Sequence, residues 1–220
     1  MLKISWHDKM NRMQTISFLA VLWAAWCFLH SLMISRGFTG MMRKILGRKY
    51  AYYRLAYSIF SVLSLMPVLF YQLSLEAKII FSWPGPWSIL QYGMYTSAGL
   101  LFYGGFRVYD IQYMLGIRQI YEVRGESKKQ SPEFKTEGIL GYVRHPWYSG
   151  AILLVWAFGI ITDITLVSKI VLTVYIFIGT LLEEKKLICE IGEPYLAYRK
   201  RVPMLIPWIK RISFSDGNTV

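Results

Sequence analysis

Charged and apolar positions are strongly segregated along this chain, and the pattern defines its elements before any motif is considered. Met13 to Ser35, Leu55 to Leu75 and Ile79 to Phe106 contain no Asp, Glu, Lys or Arg. Each exceeds the ~18 residues expected of a membrane-crossing helix. The runs predict spanning helices over 13–35, 54–75 and 86–108. Two shorter apolar runs, Pro146 to Thr162 and Ile170 to Leu182, are separated only by a patch holding Asp163 and Lys169. These predict helices over 146–162 and 165–184 that turn back on one another. At ~1.5 Å per residue neither has length to spare, so a tilted antiparallel hairpin and a partly re-entrant one both fit. The expected fold is all-α: a polytopic integral membrane protein of five helices, the last two a short hairpin, forming one domain over 1–220.

Local punctuation agrees with that plan. Trp83-Pro84-Gly85-Pro86-Trp87 is a Pro/Gly turn between two interfacial tryptophans, and Tyr50 to Tyr57 has the Tyr/Arg character of an interfacial belt. Pro67 and the Gly104-Gly105 pair suit a kink or close packing within membrane helices. From Arg118 to Lys135 the chain is polar, holds Gly125 and Pro132, and predicts a long connecting loop.

Composition sharpens the picture. With 55% hydrophobic and 17% charged residues and a mean hydropathy of +0.35, the chain is too apolar for an ordinary soluble domain. Of its 25 basic residues, 20 fall in three of the six connecting or terminal segments: six between the first and second runs, seven between the third and fourth, seven after the fifth. Only Lys78 and Lys169 occupy the other two connections. The positive-inside rule then predicts a cytoplasmic C-terminus and an outside N-terminus, in a bacterial inner membrane or its equivalent, although Lys3, Lys9 and Arg12 oppose the second assignment. The net charge of +12 follows from topology and attraction to the lipid bilayer, so no nucleic acid is expected as a partner. The first run is long for a signal peptide and no small-x-small site follows it, so it is expected to remain as a helix. Cys27 and Cys189 lie too far apart in this topology to form a structural disulfide.

Reactive polar groups concentrate in two places. The first is Gly138-Ile-Leu-Gly-Tyr-Val-Arg-His-Pro-Trp-Tyr-Ser-Gly150, at the start of the fourth helix. Pro146 suits the first helical turn, and the free N–H groups of a helix start favour a carboxylate. The second is Glu183-Glu184, where the fifth helix leaves its apolar run and two carboxylates need cationic or hydroxyl partners. Together they suit a zwitterionic ligand carrying an ammonium group and a ribose diol. Taken alone, the residues fit better as interfacial positive charges at Arg144 and His145, with Glu183-Glu184 in helical pairs with Lys185 or Lys186.

The blocks Arg144-His145-Pro146-Trp147-Tyr148-Ser149-Gly150, Glu183-Glu184-Lys-Lys-Leu187, Gly192-Glu-Pro-Tyr195, Tyr198 and Val202-Pro203 to Pro207 occur in order and at matching spacing. They resemble the signature of the isoprenylcysteine carboxyl methyltransferase and phospholipid methyltransferase superfamily over about Asp110 to Trp208. His30-Ser31, Gly116-Ile-Arg-Gln119 and Val202-Pro-Met-Leu-Ile-Pro207 are most similar to its methanethiol S-methyltransferase and NnrU-like branch. The resemblance implies S-adenosylmethionine as cofactor, a small thiol or lipophilic methyl acceptor, no metal and no obligate protein partner. It further implies a cofactor site lined by Gly138, Leu140, His145, Pro146, Tyr148, Gly150, Glu183, Glu184, Tyr195 and Tyr198; a basic, dehydrated site would stabilise a thiolate, and Arg144 and His145 are the candidate catalytic residues for that role.

Two departures stand on the acceptor side: Gly179 where the isoprenylcysteine branch carries an arginine, and Leu140 where it often carries a tyrosine. These argue against a carboxylate acceptor. Isoprenylcysteine-type carboxyl or phospholipid amine methylation, a non-catalytic NnrU-like accessory protein and a sterol-reductase-like NADPH enzyme are the competing expectations.

Overall fold

The computed structural model describes residues 6–125 and 134–207. Pro132 of the polar segment and Trp208 at the end of the signature lie outside the described residues. In chain order the helices are α1 (Trp6–Ile34), α2 (Arg36–Leu46), α3 (Tyr53–Ser74), α4 (Pro86–Val108), α5 (Ile111–Leu115), α6 (Ile117–Arg124), α7 (Pro146–Ala157), α8 (Asp163–Ile191) and α9 (Glu193–Arg201). Two short strands, β1 (Ile79–Phe81) and β2 (Ile161–Thr162), pair antiparallel, and 3₁₀ turns occupy Gly47–Tyr52 and Gly138–Gly141.

Each long apolar run is helical, with boundaries set by identifiable residues. The first helix stops at Ile34 because Ser35 is extended and its hydroxyl caps the next helix through Phe38 N at 3.3 Å. The fourth stops at Ala157, five residues short of expectation. Gly159 at φ +64° turns the chain, and the residues beyond it pair with β1. The fifth begins on Asp163 and runs unbroken through Glu183 and Glu184 to Ile191, longer than 165–184, until Gly192 at φ +75° ends it. The stretch expected as a long loop after Arg118 instead starts as helix, α6, up to Gly125.

Among the described residues three segments are long and apolar enough to cross a membrane: Asn11–Ile34, Arg36–Ser74 and Asp163–Ile191. Only 17%, 6% and 22% of their most apolar windows is buried by the protein itself, so lipid is the solvent that covers the rest. The chain is an all-α membrane protein.

The chain separates into two compact units. The first takes residues up to Ile89, the segment from Asp110 and Phe158–Ile176. Its core is Leu19, Trp23, Val68 and Ile164, from α1, α3 and the start of α8. Indole N–H groups of Trp23 and Trp26 donate to Gln72 (2.8 Å) and Ser64 (3.2 Å), satisfying polar atoms among apolar ones. His30 stacks on Trp26 and meets the Tyr57 hydroxyl at 2.7 Å. At the other end Asp163 accepts from Arg12 (2.5 Å), Lys78 N (2.9 Å) and Ile164 N (3.0 Å), so Arg12 is a paired charge. The Lys169 ammonium, buried on α8, donates to Phe158 O at 2.9 Å.

The second unit takes Leu90–Tyr109, the segment ending at Ala157 and Phe177 onward. Here α4 and α7 approach closely because glycines remove side chains from the contact. A Cβ on Gly150 would lie 3.2 Å from the Phe102 ring, and one on Gly104 would lie 2.8 Å from Ile139 Cβ. At Gly105 a Cβ would run into the Trp147 indole, which donates to Phe102 O at 3.1 Å. The Gly104-Gly105 pair therefore serves close packing.

Candidate active site

Everything that converges in the second unit does so on one carboxylate. Glu184 is 4% exposed, and its two oxygens receive four side chains. Arg144 binds it through both edges of a fork, Nε to Oε1 and Nη2 to Oε2, each at 2.9 Å. His145 Nε2 stands 2.7 Å from Oε1, the Tyr195 hydroxyl donates to the same oxygen at 2.5 Å, and Arg199 Nε pairs with Oε2 at 2.9 Å. A carboxylate offers about four lone-pair directions, so this one is fully occupied.

Arg144 is equally committed. Its Nη1 donates to Arg199 O at 3.1 Å and to Val202 O, leaving little of the guanidinium unspoken for. The backbone repeats the pattern, because Arg144 N donates to Pro203 O (2.9 Å) and His145 N to Met204 O (3.2 Å). Ser149 adds a hydroxyl donated to Leu205 O at 2.5 Å. Residues 202–205 thus form a strap bonded to the 144–149 segment. Helix α9 is placed by Gly192, which breaks α8 and lets Tyr195 and Tyr198 pack on Leu187, Ile188 and Ile191. Tyr198 then donates to Leu140 O at 2.6 Å, tying α9 to the 3₁₀ turn.

Of the residues expected to form the site, Arg144, His145, Glu184 and Tyr195 meet directly, and Tyr198 joins through the Leu140 carbonyl. Pro146 is the buried first residue of α7. Tyr148 stacks on His145, ring centroids 5.6 Å apart. Glu183 differs from its neighbour: its side chain is 40% exposed and lies 3.8 Å from His145 Nδ1. Gly138 lies upstream at φ +62°, opening the 3₁₀ turn. Gly150 faces α4.

Burial pushes the Tyr195 phenol well above its ordinary range, and the adjacent Glu184 carboxylate raises it further. Tyr198 is raised by burial and then by Tyr109, and Tyr109 by burial and then by Glu183. All three phenols stay protonated donors at neutral pH.

Arg199 was not singled out by the sequence, and Ser149 and the strap residues entered only as parts of the signature blocks, with no contact assigned to them. Arg199 was legible in principle, since it follows Tyr195 by one helical turn and so shares its face. The strap was not, because its bonds are made by backbone atoms.

No family model matches the chain, and no solved structure is similar to it. Curated proteins are. Over 101 residues the chain is 45% identical to the methanethiol S-methyltransferase of Crocosphaera subtropica, covering 46% of this chain and 39% of that one. It is 34% identical over 161 residues to methanethiol S-methyltransferase 1 of Bradyrhizobium diazoefficiens, covering 72% of this chain and 56% of the relative. This chain therefore spans less than two thirds of either of those relatives. Against methanethiol S-methyltransferase 2 of the same organism it is 30% identical over 178 residues, covering 81% of this chain and 68% of the relative. With most of both sequences aligned in that last case, the chain belongs to the methanethiol S-methyltransferase family.

Proposed function

We propose that this chain is an S-adenosylmethionine-dependent membrane methyltransferase that methylates a small thiol. The observation that carries the reading is the cluster on Glu184, which draws the separated blocks of the signature onto one carboxylate. The names of the relatives favour a thiol over a carboxylate or lipid acceptor. In the membrane, the fourth crossing is part helix and part extended: the twelve residues of α7 cover ~18 Å and the five before α8 up to ~16 Å. Pairing of β2 with β1 satisfies backbone groups there that lipid could not. With α1, α3, α4 and α8 this makes five crossings, the C-terminal segment lying in the cytoplasm.

The donor set fits the cofactor. Glu183, half-buried and apart from the Arg144 fork, is an acceptor suited to a ribose diol or an ammonium group. First-turn N–H groups of α7 suit a carboxylate. When bound, S-adenosylmethionine supplies a methyl group on a positively charged sulfur. The remaining work belongs to the chain. Glu184 accepts from His145 Nε2, which fixes the proton on that nitrogen and leaves Nδ1 with a lone pair. His145 Nδ1 would take the proton of the acceptor thiol, leaving a thiolate sulfur to receive the methyl group that the cofactor would supply. Arg144 acts as a positioning residue through Glu184. The buried phenols of Tyr195 and Tyr198 wall the site against water.

The test is His145→Gln, which keeps an N–H donor toward Glu184. Methylation of a small alkyl thiol by the purified protein should fall by ~10² or more near neutral pH. The deficit should narrow as pH climbs past the range where thiols ionise unaided, ~8.5 for a cysteine-like thiol. A deficit equal at every pH would remove His145 as the base. Failure of the wild-type protein to bind S-adenosylmethionine would remove the methyltransferase reading itself.

A further inference from the structure

Helix α2, the charged start of the Arg36–Ser74 segment, lies between the apolar helices α1 and α3 in the chain and buries none of its residues. It starts two residues after α1 ends, and the chain re-enters the membrane at α3. Its eleven residues, about 16 Å of helix, therefore sit at the depth of the lipid headgroups. Ser35 breaks the axis between α1 and α2. The pair Tyr50 and Tyr53, stacked at 5.5 Å, fixes the return, with the Tyr53 hydroxyl donating to Met33 O at 2.6 Å.

At 100° per residue, Phe38, Met41, Met42, Ile45 and Leu46 fall within one arc of ~140°, while Arg36, Arg43 and Lys44 occupy the opposite side. Met41 and Ile45 are 46% and 67% exposed. Arg48 and Lys49 continue the charge through the following 3₁₀ turn, and Arg43 lies over the Tyr50 ring at 5.0 Å. Between Asp8 and Glu76 the chain holds no acidic residue, and among the described residues none of Arg43, Lys44, Arg48 and Lys49 pairs with a carboxylate. Four uncompensated cations above an uncovered apolar stripe at headgroup depth match one partner.

We infer that α2 and the turn after it form a docking surface for anionic phospholipid, with the Met41 and Ile45 side chains set among the acyl chains and Arg43, Lys44, Arg48 and Lys49 holding phosphates. Each cation near an anionic surface favours association by about fivefold. Loss of all four should weaken anionic lipid binding on the order of 600-fold.

The full chain in a neutral detergent, its tryptophan fluorescence followed on heating, provides the test. Phosphatidylglycerol should raise the melting temperature more than phosphatidylcholine does, and the R43Q/K44Q/R48Q/K49Q protein should lose that difference. An unchanged difference in the variant overturns the assignment, as does an equal rise with inorganic phosphate, which would mark a soluble-anion site. A second measurement stands apart from the charges. With Cys27 and Cys189 replaced by Ser, a fluorophore on Ile45→Cys should be quenched by bilayer lipids brominated on the acyl chain, and one on Gly40→Cys should not. Equal quenching at both positions overturns the orientation, and with it the surface.

Discussion

Glu183 and Glu184 are chemically identical neighbours, yet the structure gives them opposite burdens, and exchanging each for glutamine separates the two. In Glu184→Gln the carboxylate between Arg144, His145, Tyr195 and Arg199 becomes a neutral amide. Arg144, with a side chain 7% exposed, is left as a buried cation with carbonyl oxygens for partners. Breaking such a buried pair costs about 3–5 kcal/mol, and the acceptor oxygen that glutamine retains puts the expectation near ~3 kcal/mol. The Arg199 pairing adds little, since its side chain is 40% exposed and water screens it. For a chain of this length ~3 kcal/mol lowers the melting temperature by roughly 6–12 °C. In Glu183→Gln the changed group is already in contact with water, so stability should move by no more than ~0.5 kcal/mol. The assay is thermal unfolding of both variants in one detergent, alongside calorimetric binding of S-adenosylmethionine. Glu183→Gln should melt like the wild type but bind the cofactor more weakly; Glu184→Gln should melt early. Equal melting temperatures for the two variants would refute the assignment of Glu184 as the buried anchor.

Two further outcomes follow from the second unit. Gly105→Ala should cost ~1–3 kcal/mol by pushing Trp147 off Phe102 O; Gly99→Ala on the same helix meets nothing within 4 Å and should be neutral or gain up to ~1 kcal/mol. Melting curves of the pair check both. Because burial raises the Tyr195, Tyr198 and Tyr109 phenols above the ordinary value of 10.0, their contribution is whole below pH 10 and is lost as pH rises beyond it, where the unfolded chain ionises first. An alkaline melting series should fall above pH 10, less steeply in Tyr195→Phe; an identical slope would argue that these phenols do not drive it.

The long helices were legible because lipid demands uninterrupted apolar runs, and 13–35 and 54–75 differ from α1 and α3 chiefly at their ends. The fourth helix was misjudged at its C-terminus because the partner of Ile161-Thr162 is β1, some eighty residues earlier, and no local pattern announces it. Helix α2 was overlooked although Phe38, Met41, Met42, Ile45 and Leu46 carry a helical period, since its basic residues read first as loop charge. In the site, Arg144, His145 and the Glu pair stood out as charges at the edge of apolar helices. Which glutamate turns inward did not, because neighbours on a helix point ~100° apart and only the packing of α9 and the strap selects between them. Arg199 was hidden within Arg199-Lys200-Arg201, which looks like a solvated basic tail.

The strap also imposes an order of events during synthesis. Arg144 is made long before anything that neutralises it: Glu184 follows 40 residues later and the Val202 carbonyl 58 residues later. At ribosomal rates of ~5–20 residues per second, the guanidinium waits roughly 2–8 s for its carboxylate and about a second or more beyond that for its carbonyls. Over that interval the α7 end must stay near water or lipid phosphate. The Arg144 end of α7 thus stays open until the strap, made after α8 and α9, closes it.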